Sequence, residues 1–501
     1  MARIGLSILF VGAAGLYASG FESEGYSLVI ATIFGAYMAM NIGANDVANN
    51  VGPAIGAGAI TLFGAIVMAG LFEAGGAILA GGDVVGTVKG DIIDPKSIGD
   101  PNTFVALMMA ALLAGALWLN LATAIGAPVS TTHAIVGGVL GAGIAAGGWN
   151  VANWPKMGEI AMSWVISPAL GGLIAAAFLF VIKHTITYRA DMSAAARRMV
   201  PLLTALMTWA FTAYICTKGL KQLVKIDMGT ALLIGAGTAF LAWLLMRPHC
   251  ARVSARLTND KKGVNQLFTI PLICSAALLS FAHGANDVAN AIGPLAAVYD
   301  AVAAHAISVK APIPMWVMLV GALGIVAGLA LYGPKLIRTV GSEITELDQM
   351  RAFCIAMSAA LTVLIASHLG LPVSSTHIAV GGVFGVGFLR EFLKARYADV
   401  IVDIEEHHQG QDRDIVESYL QRFDEASLKE QGEMLKDLKV QARETPPGLL
   451  SKQERKSLKK RYKKQLVHRS ILLRIVAAWL ITVPAAGALS AGIFYLLQQW
   501  M

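Results

Sequence analysis

The chain has 501 residues, 56% hydrophobic and only 14% charged, with a mean hydropathy of +0.63. Charged residues make up about a quarter of an ordinary soluble domain, so this composition excludes a globular protein solvated by water alone. The net charge of +7 does not point to nucleic acid, because Lys and Arg gather in loops between apolar runs, where the positive-inside rule accounts for them.

The N-terminal stretch "MARIGLSILFVGAAGLYASG" has the basic start and short apolar centre of a signal peptide. The chain stays membranous behind it, which favours a retained helix within residues 1–25. Apolar spans of full length follow near 26–44, 60–82, 103–126, 159–182, 200–216, 228–246, 266–284, 313–333, 352–370 and 471–498. Four further stretches are apolar but broken by Gly and Pro: 51–61, 126–148, 291–306 and 370–389. The expectation is an all-α polytopic membrane protein with about 12–13 membrane segments, placed in the cell membrane. The cysteines, Cys216, Cys250, Cys274 and Cys354, form no CxxC pair, and three lie in apolar runs, so neither a disulfide framework nor a zinc site is indicated.

The broken segments come in matched pairs. "GANDVANN" begins at Gly43 and "GANDVANA" at Gly284, so Asn45 and Asn286 stand 241 positions apart. "PVSTTH" (Pro128 to His133) and "PVSSTH" (Pro372 to His377) stand 244 apart. The repeat is long and keeps its motif order. Basic loops at 183–198, 247–262 and 452–469 are expected in the cytoplasm, with the acidic loop "GGDVVGTVKGDIIDPKSIGD" outside. An odd number of unbroken spans between the second and third basic loops requires one broken segment to cross, and 370–389 has the length. The two GANDVAN helices then run in opposite directions. Two inverted-topology repeats with broken or re-entrant helices are expected, at 26–185 and 266–390, joined by linking helices and basic loops at 186–265. Such halves point to a secondary transporter with its site at the midplane.

On a helix Asn45, Asp46 and Asn49 share a face, and Asn286, Asp287 and Asn290 repeat the spacing. A carboxylate at that depth is costly unless compensated. In the second motif Pro sets the start of a helix whose first turn carries Ser130, Thr131 and Thr132, or Ser374, Ser375 and Thr376. Hydroxyls beside free backbone N–H groups make an anion site. An anion beside two carboxylates needs either bound cations or protons of its own. Phosphate, whose P–OH groups can donate, with a coupling cation fits better than sulfate, which stays open as the alternative. Glu73, the lone acid of its span, is a further candidate ion ligand. His133, His283 and His377 adjoin the motifs and are read as helix-orienting rather than functional.

These doubled motifs resemble those of the inorganic phosphate transporter (PiT, Pho4) family, over roughly residues 26–390. The resemblance implies symport of phosphate with Na⁺ or H⁺, inverted repeats and a homodimer. It also implies that Asp46, Asn49, Ser130, Thr131, Thr132, Asp287, Asn290, Ser374, Ser375 and Thr376 bind substrate. Asn45, Asp46, Asn286 and Asp287, with Glu73, are the implied ligands of the coupling cation. One departure is Met357, where many relatives carry an acidic residue, which puts a full set of sodium sites in question. The intact GANDVAN form favours Na⁺ over H⁺.

Residues 391–470 leave the membrane composition, and "DIVESYLQRFDEASLKEQGEMLKDLKVQA" spaces its apolar residues as amphipathic helices of a cytoplasmic domain. A C-terminal transmembrane helix, 471–501, closes the chain. An enzyme would need no second copy of each motif, and the chain holds no G-x-S-x-G elbow. A cation channel using the aspartate pair is the remaining rival, set apart by measurable conductance. No resident cofactor is expected beyond the coupling ion.

Overall fold

The computed structural model describes residues 2–20, 25–125, 129–221, 224–304, 307, 313–343, 348–395 and 469–500, with scattered positions between 415 and 438. The start of the first PVSTTH motif through Pro128, the basic run at 452–468 and most of the charged segment lie outside the described residues. The described chain divides into a unit of Met1–Val386 with Leu473–Met501, and a second unit of Gly387–Leu472. In the second unit Val416, Leu420 and Leu438 are buried, and the Tyr419 hydroxyl donates to the Met434 carbonyl at 3.0 Å.

The described residues of the first unit are mostly helical, joined by short turns and loops. In chain order the helices are α1 (Ala2–Ser19), α2 (Gly25–Asn45), α3 (Val47–Gly56), α4 (Leu62–Ala80), α5 (Gly82–Gly90), α6 (Pro101–Ile125), α7 (Thr131–Gly147) and α8 (Trp154–Ile182). There follow α9 (Met192–Tyr214), α10 (Met228–Ser254), α11 (Lys261–Leu267), α12 (Thr269–Asp287), α13 (Ala289–Ala304), α14 (Met315–Glu343), α15 (Gln349–His368), α16 (Ser375–Ala395) and α17 (Arg469–Gln498). Among the described residues 11 helical stretches are long and apolar enough to span a bilayer, and α7, at 17 residues, is a shorter apolar helix. The protein is an all-helical, multi-pass membrane protein. A bilayer offers no hydrogen bonds to the backbone, so helices are what such a sequence can form there. Free N–H groups at helix starts are met by side chains: Thr61 on α4, Asn153 on α8, Asp191 on α9 and Asp227 on α10.

Both GANDVAN motifs sit at helix interruptions. α2 stops at Asn45 and α3 resumes at Val47, leaving Asp46 between them, while α12 stops at Asp287 and α13 resumes at Ala289. Pro53 in α3 and Pro294 in α13, again 241 positions apart, each remove a backbone donor shortly after the interruption.

Glycines decide which helices touch. A side-chain carbon at Gly43 of α2 would overlap the Ile325 carbonyl oxygen of α14, and one at Gly328 of α14 would overlap that of Met40. The same relation holds for Gly284 of α12 against Glu73 of α4, and for Gly76 of α4 against Phe281. It recurs for Gly381 and Gly385 of α16 against Pro168 and Gly172 of α8, and for Gly137 and Gly141 of α7 against Val483 and Gly487 of α17. Lipid tails are as apolar as leucine, so close backbone approach at small residues is what joins helices here. α17, set apart in sequence by the charged segment, thus takes against α7 the place that α8 takes against α16.

Candidate functional site

The two motif types meet in one buried cluster. The carboxylate of Asp46, at the α2–α3 interruption, accepts a hydrogen bond from the Thr131 hydroxyl at 2.7 Å and one from Thr376 at 3.4 Å. Asp287, at the end of α12, accepts from Ser375 at 3.4 Å. Each carboxylate thus takes a first-turn hydroxyl from the motif helix that follows it in the chain, and Asp46 takes one from α16 as well. The amides reach across: Asn49 donates to Thr376 at 2.9 Å, and Asn290 donates to Thr132 at 3.1 Å and lies 3.3 Å from Thr131. Asp46, Asp287, Asn290 and all six hydroxyl residues are buried. Asn49 is half-buried.

Ser130 and Ser374 cap α7 and α16, accepting the backbone N–H of His133 at 3.2 Å and of His377 at 3.3 Å. A hydroxyl that accepts in this way keeps its own proton to donate. Behind the caps the rings of His133 and His377 pack edge to face, 4.7 Å between centroids, and His133 lies 3.9 Å from the Trp164 ring. Both histidines are buried.

The loop before α16 is held through its carbonyls. Thr87 donates to Gly370 O at 2.7 Å, Asn286 to Leu371 O at 3.1 Å, Trp164 to Pro372 O at 3.1 Å and Thr132 to Val373 O at 3.0 Å. Four helices supply these donors, and Gly370 makes the turn possible with a φ of 67°. Buried backbone oxygens need partners, so this loop is fixed where it is.

Of the residues read as cation ligands, the structure brings together the two carboxylates but not the two amides. Asn286 spends its amide on Ser367 at 3.0 Å, on Leu371 and on the Val373 N–H at 3.2 Å. Asn45 is half-buried and makes no side-chain hydrogen bond among the described residues. Glu73 is fully buried, with one oxygen accepting from Asn50 at 2.8 Å and the other 2.6 Å from His283 Nδ1. His283 Nε2 in turn lies 3.0 Å from Asp287. Asp46, His283 and Asp287 offer ligand atoms all within 4.8 Å of one another, a grouping able to hold a cation. The sequence reading kept His283 outside the site, whereas the structure puts it between two acids. Its position four residues before Asp287, one helical turn away, was the available signal. Met357 is fully buried in α15, where an acid would be expensive without a partner.

A second departure concerns the stretch read as an acidic outer loop. Residues 82–90 form α5, with Val84, Val85 and Val88 buried, and Lys89 makes a buried ion pair with Asp300 of α13.

Comparison with known proteins gives a consistent set of likenesses. A family model described as "Phosphate transporter family" matches residues 42–490. A protein of Helicobacter pylori strain J99, named "Putative phosphate permease", is 52% identical over 502 residues, spanning 98% of this chain and 94% of its own length. A protein of Pyrococcus furiosus with the same kind of name is 40% identical over 385 residues, 75% of this chain and 90% of its own. A solved structure named "The sodium-dependent phosphate transporter" superposes with a TM-score of 0.77 at 30% identity, over 95% of this chain and all of that one.

Proposed function

The chain belongs to the phosphate transporter family, and from that membership we propose that it moves inorganic phosphate across the cell membrane by symport, with Na⁺ favoured over H⁺ as the coupling ion. The observation that carries the reading is the reciprocal lattice of Asp46, Asn49, Asp287 and Asn290 with Thr131, Thr132, Ser375 and Thr376. It gathers hydroxyl donors from two helix N-termini around two carboxylates in a buried place. Donors of that kind suit an oxyanion, and the helix ends add to them. The carboxylates beside them need a cation or the substrate's own protons, which makes transport of the anion dependent on the partner ion.

In this reading the six hydroxyl residues and Asn49 and Asn290 contact phosphate, while Asp46 and Asp287 face both phosphate and cation. Asn45 is the amide left available to the ion. Asn286 positions the second loop, and Glu73 supports the cation side through Asn50 and His283. The similar solved structure is named for its sodium dependence, which supports sodium as the coupling ion here. The mirrored glycine contacts support inverted repeats, and the family resemblance supports a homodimer.

The test is uptake of radiolabelled phosphate into proteoliposomes under an inward Na⁺ gradient, an inward H⁺ gradient or neither, with excess unlabelled sulfate. The expected result is uptake driven by the Na⁺ gradient, resistant to sulfate and absent in Asp46→Asn. Uptake driven only by protons would transfer the coupling role to H⁺. Full competition by sulfate, or no phosphate uptake at all, would overturn the cargo.

A further inference from the structure

The two halves of the candidate site differ in how well they are covered. Asn45 and Asn49 are half-buried, yet their counterparts Asn286 and Asn290 are each 1% exposed. On that side α5 packs along α13. Its Val88 packs so closely on α13 that only glycine fits at Gly293, one turn beyond Asn290. Its Thr87 holds the Gly370 carbonyl at the start of the PVSSTH loop, and a side-chain carbon at Gly370 would lie against the Asp83 carbonyl at 3.5 Å.

Two ion pairs pin this nine-residue helix, and they differ in exposure. At its C-terminal end Lys89 and Asp300 are dry, with side chains 2% and 6% exposed. At its N-terminal end Asp83, 30% exposed, pairs with Lys218 and, at 3.2 Å, with Lys221, whose side chains are 16% and 58% exposed. The lysines sit in and just after the π-turn that ends the α9 span. Charge parity along the chain puts the Gly82 end of α5, the Lys218–Lys221 turn and the Gly370 loop on one side of the membrane, the outer one. A wet ion pair is weak and screened by salt, whereas a dry one is costly to separate.

We propose that α5 is the outer gate of the transport path, latched shut by the pairing of Asp83 with Lys218 and Lys221. Releasing that end lets α5 swing about its Lys89–Asp300 end, withdraw Thr87 from Gly370 and open the second-half side of the cluster. Asp83 is thus a positioning residue, acting on the loop through the helix that bears it. The proposal rests on the cluster being a transport site, whatever the cargo.

Val373 makes a suitable reporter. It is fully buried, and its backbone bonds to Asn286 and Thr132 survive the change Val373→Cys. The full-length chain, with Cys216, Cys250, Cys274 and Cys354 replaced by Ala, would carry this cysteine. It would be exposed in intact cells to a membrane-impermeant maleimide, and in inverted vesicles to the same reagent. Asp83→Asn and Lys218→Gln are expected to raise labelling from outside about two- to fivefold, the range set by a partly exposed ion pair. The exchange Asp83→Lys with Lys218→Asp should return it towards the parent rate, which a merely damaged fold would not do. Raising salt from about 0.05 M to about 0.5 M should reproduce the increase in the parent and add nothing in Asp83→Asn. Labelling indifferent to both charge and salt, or raised only from the cytoplasmic side, would overturn the gate. Phosphate uptake by the unaltered protein, measured alongside, tests the cargo separately, since labelling can respond whether or not phosphate is carried.

Discussion

At Asn286 the side chain donates to Ser367 and Leu371 and accepts from Val373, whereas Asn45, at the same place in the first motif, makes none of these bonds. Removing the Asn286 amide strands a buried N–H and a buried carbonyl, and one such orphan costs about 1–3 kcal/mol. Asn286→Ala should therefore lower the unfolding temperature in detergent, while Asn45→Ala should leave it in place and raise the sodium concentration needed for half-maximal uptake. A thermal scan alongside a sodium titration separates the two. Thr131 presents a different case, since its hydroxyl both donates to Asp46 and lies against Asn290. Hydrogen bonds to a charged group are worth about 1.5–3 kcal/mol, so Thr131→Val should cost about tenfold or more in uptake efficiency. Thr131→Ser, which keeps the hydroxyl, should recover most of it.

Among the elements, α5 shows where the sequence was hard to read. Gly82, Gly86 and Gly90 break its apolar pattern, and three acids follow within ten residues, so the stretch looks like a surface loop. Only Val84, Val85 and Val88, spaced to share a face, hint at the helix that packs inside. Motif pairs were legible because residue spacing along one helix reports which side chains share a face. The chain from Asn50 through Glu73 to His283 was not, because it joins three helices, and spacing is silent about which helices face each other. The Lys89–Asp300 pair has a consequence for stability. Lys89→Met leaves Asp300 buried without its partner, a change that costs about 3–5 kcal/mol in comparable sites. Lys89→Met with Asp300→Leu should recover much of that loss, as read by the yield of folded protein after heating. At the start of α10, hydrogen bonds from the Thr230 hydroxyl and backbone hold the Asp227 carboxyl below its ordinary range. A depressed carboxyl stabilises above its unfolded pKa, and the benefit fades as pH falls through the folded value. Asp227→Asn should therefore flatten the acid limb of thermal stability.

For the molecule as a whole, the glycine contacts set the plan. α2 is welded to α14, α12 to α4 and α16 to α8, each pair joining a helix from residues 26–185 to one from residues 266–390, while α7 is joined to the C-terminal α17. Fragments cut in the link between α10 and α11 should accordingly resist protease when made together and be degraded when made singly, which co-purification would show. The bodies that shift during transport cannot then be residues 26–185 against residues 266–390, because such a motion would tear three glycine seams.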